Sequence, residues 1–254
     1  MKHVGAPDFT EARYRSLLER ARARFRFCKF GDSLGGEGIA LWRHDIDFSP
    51  QRALALAKIE ASLGVSASYF VLLSSSFYNP FEPAVRDVLR EIAALGHDLG
   101  LHYDAASFDG DTSAHAGRIA FEARALKRQL KTDIRAFSLH NPSVSPDVEL
   151  AAPRYAGLVN ATALDLLAQF TYVSDSNGRW RFRSLHEAVE DATVTRLYAL
   201  THAEWWTPEP MPPDARVERC IKGRAERVAA DYRSFLLRHR PEVVDATESK
   251  ARDD

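Results

Sequence analysis

The chain has 254 residues, with 34 Lys and Arg against 35 Asp and Glu, for a formal net charge of −1. At 45% hydrophobic and 27% charged it is a globular composition, which excludes a disordered chain, a collagen and a disulfide-stapled miniprotein. Near-zero net charge with scattered arginines gives no footprint for nucleic acid or an anionic membrane. Cys28 and Cys220 stand far apart, which excludes a zinc knuckle. The first 13 residues lack an apolar core of a secretion signal, and no run approaches the about 18 apolar residues of a membrane span. The expected location is cytoplasmic.

In chain order, residues 9–25 read as an amphipathic helix. From residue 39 to 202 two patterns alternate. Short apolar and β-branched runs predict strands at 39–46, 65–73, 97–102, 134–139, 170–173 and 193–200. Helical stretches lie between most of them. Ser49-Pro50 starts one that Gly64 ends, Pro83 to Leu95 is closed by Gly96, 113–131 is a longer one, and Ser145-Pro146 opens another. Alternating units of this kind imply a parallel sheet covered by helices. The Pro-rich stretch 206–213 precedes a helix and charged tail over 214–254, whose last residues, 248–254, are expected to be disordered. A single domain of 254 residues is expected.

Ionisable residues recur where the strands end. The first strand finishes in Arg43-His44-Asp45-Ile46-Asp47 and the third in His102-Tyr103-Asp104; later ones finish in His140-Asn141, Ser174-Asp175-Ser176 and Thr201-His202. Active sites of parallel α/β folds are built at the C-terminal ends of strands. Asp and His drawn from several strands can supply an open metal site, whose ion acidifies water, while a second carboxylate and a free histidine serve as base and acid. Asp45 and Asp47, two apart, point the same way from an extended strand.

Taken together, Arg43-His-Asp-Ile-Asp47, Gly96-His-Asp-Leu-Gly-Leu-His102, Ser138-Leu-His140 and Leu200-Thr-His202 resemble the ordered motifs of the polysaccharide deacetylase superfamily, the NodB-homology domain of carbohydrate esterase family 4. The likeness covers about residues 41–206. It implies an α/β fold, a distorted (β/α) barrel of the NodB-homology type with parallel strands and an outer ring of helices. It also implies one divalent metal ion, with zinc expected and nickel, cobalt and manganese compatible, and hydrolysis of N-acyl groups from amino sugars. By that resemblance Asp45 is the catalytic base, Asp47 and His102 bind metal, and His202 is the catalytic acid.

Three positions depart from the family pattern. The acidic pair is Asp-Ile-Asp, so the two roles can be exchanged. Ala106 stands where a second metal histidine is expected, and Ser138-Leu-His-Asn-Pro142 replaces an Arg-Pro motif. His140 is the expected third ligand, with His97 and Asp104 as alternatives. Arg43, His97 and Asp104 are expected to brace the site. Trp205, Trp206, Asp175 and Asn141 are expected to contact a sugar. The resulting expectation is a hydrolase that removes acetyl or formyl from an amino-sugar or glycan substrate in surface-polysaccharide (O-antigen or capsule) precursor metabolism. A non-catalytic sugar-binding protein and a metal-independent amide hydrolase are the alternatives.

Overall fold

The computed structural model describes residues 9–141, 150–180 and 182–244. The expected helix at Ser145-Pro146 and the charged end 248–254 lie outside them. In chain order the elements are α1 (Glu11–Arg24), β1 (Arg26–Cys28), β2 (Ile39–Ile46), α2 (Pro50–Ser62), β3 (Ser68–Leu72), α3 (Pro83–Ala94), β4 (Asp98–Tyr103) and α4 (Thr112–Leu130). There follow β5 (Ile134–Leu139), β6 (Arg154–Tyr155), β7 (Leu158–Asn160), α5 (Leu164–Leu167), β8 (Thr171–Ser174), α6 (Leu185–Glu190), β9 (Arg196–His202) and α7 (Pro213–His239).

Local chemistry sets the helix starts. Ser49 caps α2 by accepting from the Arg52 amide, with Pro50 at the first helical position. Asp111 caps α4, and Lys131 ends it in the left-handed conformation. Ser184 and Glu187 form a reciprocal capping box on α6.

The strands form one sheet in the order β6-β7-β5-β4-β3-β2-β9-β8, with β1 alongside the first half of β2. Every pairing is parallel except β6 with β7. All eight residues of β2 are buried, as a central strand covered on both faces requires.

Both faces of the sheet carry apolar cores, which is how a curled half-barrel is filled. On the convex side α1, α2, α3, α4 and α6 pack over Trp42, Tyr69, Leu99 and Leu101. On the concave side a smaller cluster of Phe30, Phe70, Phe170 and Tyr198 plugs the interior beneath the strand ends. Gly100 makes that plug possible: a Cβ there would stand 2.5 Å from the Phe70 ring. The arrangement agrees with the expected distorted barrel. The edge pieces β1, β6 and β7 and the short α5 and α6 were not apparent from periodicity, because each is too short to show a period.

Candidate active site

Strand register brings the candidate residues together. Asp45 on β2 pairs with His202 on β9, and His102 on β4 pairs with Ser138 on β5. Alternation along β2 then sends Arg43 and Asp45 to the concave face and His44 to the convex one. His44 is wholly buried there, its Nε2 2.6 Å from Glu60 and its Nδ1 2.6 Å from Thr201 Oγ1. Tyr14 and Tyr69 donate to the same carboxylate. Burial would raise the Glu60 pKa, but His44 outweighs it and the carboxyl lies below its usual range.

Asp45 is held in an ion pair. Arg43 Nε donates to its Oδ1 at 2.8 Å and Arg43 Nη2 to its Oδ2 at 2.6 Å, with both side chains almost fully buried. Burial favours a neutral Asp45; the guanidinium prevails and lowers its pKa.

Asp47, His102 and His140 offer one ligand atom each, all within 4.8 Å of one another. Asp47 Oδ1 stands 3.2 Å from His102 Nε2 and 3.6 Å from His140 Nδ1, is buried, and accepts no hydrogen bond. An orphaned carboxylate oxygen facing imidazole nitrogens is costly unless a cation completes the set. This donor set, one carboxylate and two imidazoles with room beside them, fits a divalent ion with an open position.

The tautomers agree with that use. His102 Nδ1 lies 2.8 Å from Ser138 Oγ, which leaves Nε2 toward the cluster. Asn141 lies 2.9 Å from His140 Nε2, where its amide can serve either tautomer by flipping. His140 is 3.1 Å from His102 Nε2, so the two rings share a proton when no cation separates them. Burial lowers the His140 pKa, and the Asp47 carboxylate more than offsets this to raise it. Asp47 itself is pulled well below the carboxylate range: burial opposes this, and the two histidines overcome it.

His202 faces the triad from the opposite strand, with Nε2 3.9 Å from Asp47 Oδ2. Its Nδ1 is 2.7 Å from Asp175, which also accepts from the His202 amide. Burial pushes this histidine down, but Asp175 pushes it further up, to about 10. It is therefore protonated at neutral pH.

Several expectations are corrected by position. Asp175, expected at the sugar, is wholly buried and engaged by His202 and Trp206. Trp206 is equally buried, packed against Phe9, Tyr14 and Trp180, so it presents no face to a ligand. His97 sits at the opposite, N-terminal end of β4. There it accepts from the Ala67 amide and donates to Ala57 O, a brace for the helix layer that lies too far away to be a ligand. Asp104 accepts from the Ala106 amide and caps a short turn.

Two chambers open on the triad. One of about 330 Å³ includes Thr162, Tyr172, Phe182 and Arg183; the other, of about 390 Å³, includes Phe48, Phe77, Asp104 and Trp205. Asp47, His140, Asn141 and His202 line both. Two further groups were given no role from the sequence. Ser138 orients His102 across a strand pair. Glu204 is buried with Oε1 unpaired, its pKa driven well above the usual carboxylate range by burial and then by Asp47.

No family model and no curated protein matches the chain. It is similar to solved structures of family 4 carbohydrate esterases. One is the chitin deacetylase of the fungus Colletotrichum lindemuthianum, at 14% identity over 78% of this chain and 86% of that one, TM-score 0.43. A second is a family 4 carbohydrate esterase from Bacillus anthracis, at 12% identity over 84% and 86%, TM-score 0.40. A third is a pseudoenzyme of the same family from Bacillus anthracis, at 10% over 80% and 65%, TM-score 0.40.

Proposed function

We propose that the chain is a metal-dependent hydrolase that removes a small acyl group, acetyl or formyl, from the nitrogen of an amino sugar. The observation that carries it is Asp47 Oδ1, a buried carboxylate oxygen without a hydrogen bond, aimed at two imidazoles between an ionised Asp45 and a protonated His202. Asp47, His102 and His140 would hold a divalent ion, which polarises an amide carbonyl and lowers the pKa of water.

The protein's own groups supply the proton transfers. Asp45, ionised and 3.6 Å from His102 Nε2, accepts a proton from the attacking water. Arg43 keeps Asp45 anionic and aimed at the cluster. His202 donates from Nε2 to the departing amine, because Asp175 fixes its Nδ1–H and stabilises the imidazolium. Asn141 and Trp205, on the chamber walls, would touch the sugar. Surface-polysaccharide precursor metabolism as the setting belongs to the same proposal.

Metal content and hydrolysis are measured on the same preparations. About one divalent ion per chain is expected in wild type and a loss of it in His102→Ala, with released acid detected from N-acyl amino sugars. A protein that takes up no ion even after reconstitution overturns the reading.

One feature favours a second reading. Arg43 occupies both Asp45 oxygens, which weakens Asp45 as a base. A non-catalytic glycan-binding protein would show sugar binding without acyl release.

A further inference from the structure

The turn that follows β9 carries two buried polar groups without partners. β9 ends at His202, and Ala203–Trp205 form a short helical turn directly beyond it. Glu204 is 1% exposed and Trp205 8%. Among the described residues, neither Glu204 Oε1 nor Trp205 Nε1 has a hydrogen-bond partner. Other buried indoles do find one: Trp206 Nε1 donates to Asp175 at 3.0 Å and Trp42 Nε1 to the Tyr14 hydroxyl at 2.8 Å. Buried polar groups are normally paired, and leaving a carboxyl oxygen and an indole N–H dry costs stability.

Both residues line the chamber of about 390 Å³ that also holds Asp47, His140 and His202. Trp205 is fixed there by a close fit. Its six-membered ring lies against Gly178, where a Cβ would stand 3.0 Å from Cε3, and its N–H is on the opposite edge of the indole. Phe48 and Phe77, with ring centroids 4.3 Å apart, add an apolar wall. Away from the triad and His202, the ionisable groups on this wall are Asp104 and Glu204, and among the described residues no Lys or Arg lines it to pair a phosphate or a carboxylate. A ligand that completes the two orphaned groups must offer a donor to Glu204 and an acceptor to Trp205. The hydroxyls of a neutral sugar ring offer both.

We propose that Glu204 and Trp205 are the pair that selects the sugar in this chamber, Glu204 Oε1 accepting from one ring hydroxyl and Trp205 Nε1 donating to a hydroxyl oxygen. Recognition by this pair rests on the carbohydrate reading of the site and does not require the amide to be cleaved.

Calorimetric titration tests it, on zinc-loaded and on chelator-treated full chain, with the N-acetyl and N-formyl forms of glucosamine, galactosamine and mannosamine. At least one of these sugars should bind. Glu204→Met and Trp205→Phe keep the shape of each side chain and remove its orphaned polar atom. They should weaken that sugar by about tenfold or more and by about three- to tenfold. Without sugar, Glu204→Met should unfold in urea at a midpoint equal to or above that of wild type, because it deletes an unpaired buried carboxyl. One monodeoxy analogue of the preferred sugar, lacking the hydroxyl that Glu204 holds, should bind wild type and Glu204→Met within about twofold of each other. Binding by none of the sugars overturns the proposal and leaves water as the partner of both groups. Unchanged affinity in either variant overturns it too, as does a lower urea midpoint for Glu204→Met, which would give that carboxyl a structural partner. Sugar binding that depends on the pair without any acyl release supports the pair and sinks the hydrolase reading alone.

Discussion

His202 can give up a proton at neutral pH because Asp175 stands behind it. The histidine is buried, which alone would leave it neutral, and the carboxylate raises its pKa to about 10. Asp175→Asn removes that support while keeping the burial, so the pKa should fall to the ordinary histidine range or below. The alkaline limb of the kcat/KM profile should then move several pH units lower; an unmoved limb would mean that His202 is not the donor. The sign for stability follows from the raised folded value. Stabilisation from His202 is full below the unfolded histidine pKa and is lost as pH rises through about 10. Asp175→Asn should therefore destabilise most at neutral and acidic pH, as denaturant titrations across pH would show. Asp45→Asn isolates the base: turnover should fall by about 10² to 10⁴ with bound metal retained. Metal loss in that variant would exchange the roles of Asp45 and Asp47.

Strands and helices place these groups through two close fits. Phe70 on β3 lies against Gly100 on β4, with no room for a methyl group between them. Gly100→Ala should cost about 1–3 kcal/mol by overpacking the concave core, read as a lower midpoint in urea unfolding. On the convex side Glu60 ties α2 to Tyr14 of α1, His44 of β2 and Tyr69 of β3. Glu60→Ala leaves these partners unpaired in a dry environment, with an expected loss of about 3–5 kcal/mol. The end of β2 is thus held from both faces: Arg43 and Asp45 pair on one, His44 and Glu60 on the other. Alternation made the direction of Asp45 and Asp47 readable from spacing alone. The Glu60 partnership was not readable, because its members come from four elements with no shared motif.

For the molecule as a whole, an ion bound to the native state and not to the unfolded chain stabilises by mass action. At a concentration a hundredfold above Kd the gain is about 2.7 kcal/mol. For a chain of this size it corresponds to a melting temperature roughly 5–10 °C higher, which a chelator should reverse in wild type. His102→Ala should show no such shift on adding metal. The global charge balance is as instructive as the metal. A net −1 over 254 residues averages two unlike parts, the contiguous segment 213–240 at +4 and the rest of the chain at −5.

The order of strands and helices, the concentration of acids and histidines at strand ends, and the pairing of Asp47 with His102 and His140 were legible in the sequence. The first two follow from local rules of hydrophobic period, capping chemistry and the alternation of side chains along a strand, whereas the metal set came from the motif resemblance. Burial and cross-strand partnership were decided only by the tertiary structure. Asp175 and Trp206 read as exposed polar and aromatic candidates, and packing against Phe9, Tyr14 and His202 turned them inward. His97 shares a motif with His102, but five residues of extended chain carry it to the other end of β4. Ser138 and Glu204 acquire meaning from neighbours distant in sequence. Periodicity marks a side of a strand or helix, and only the folded chain determines what that side meets.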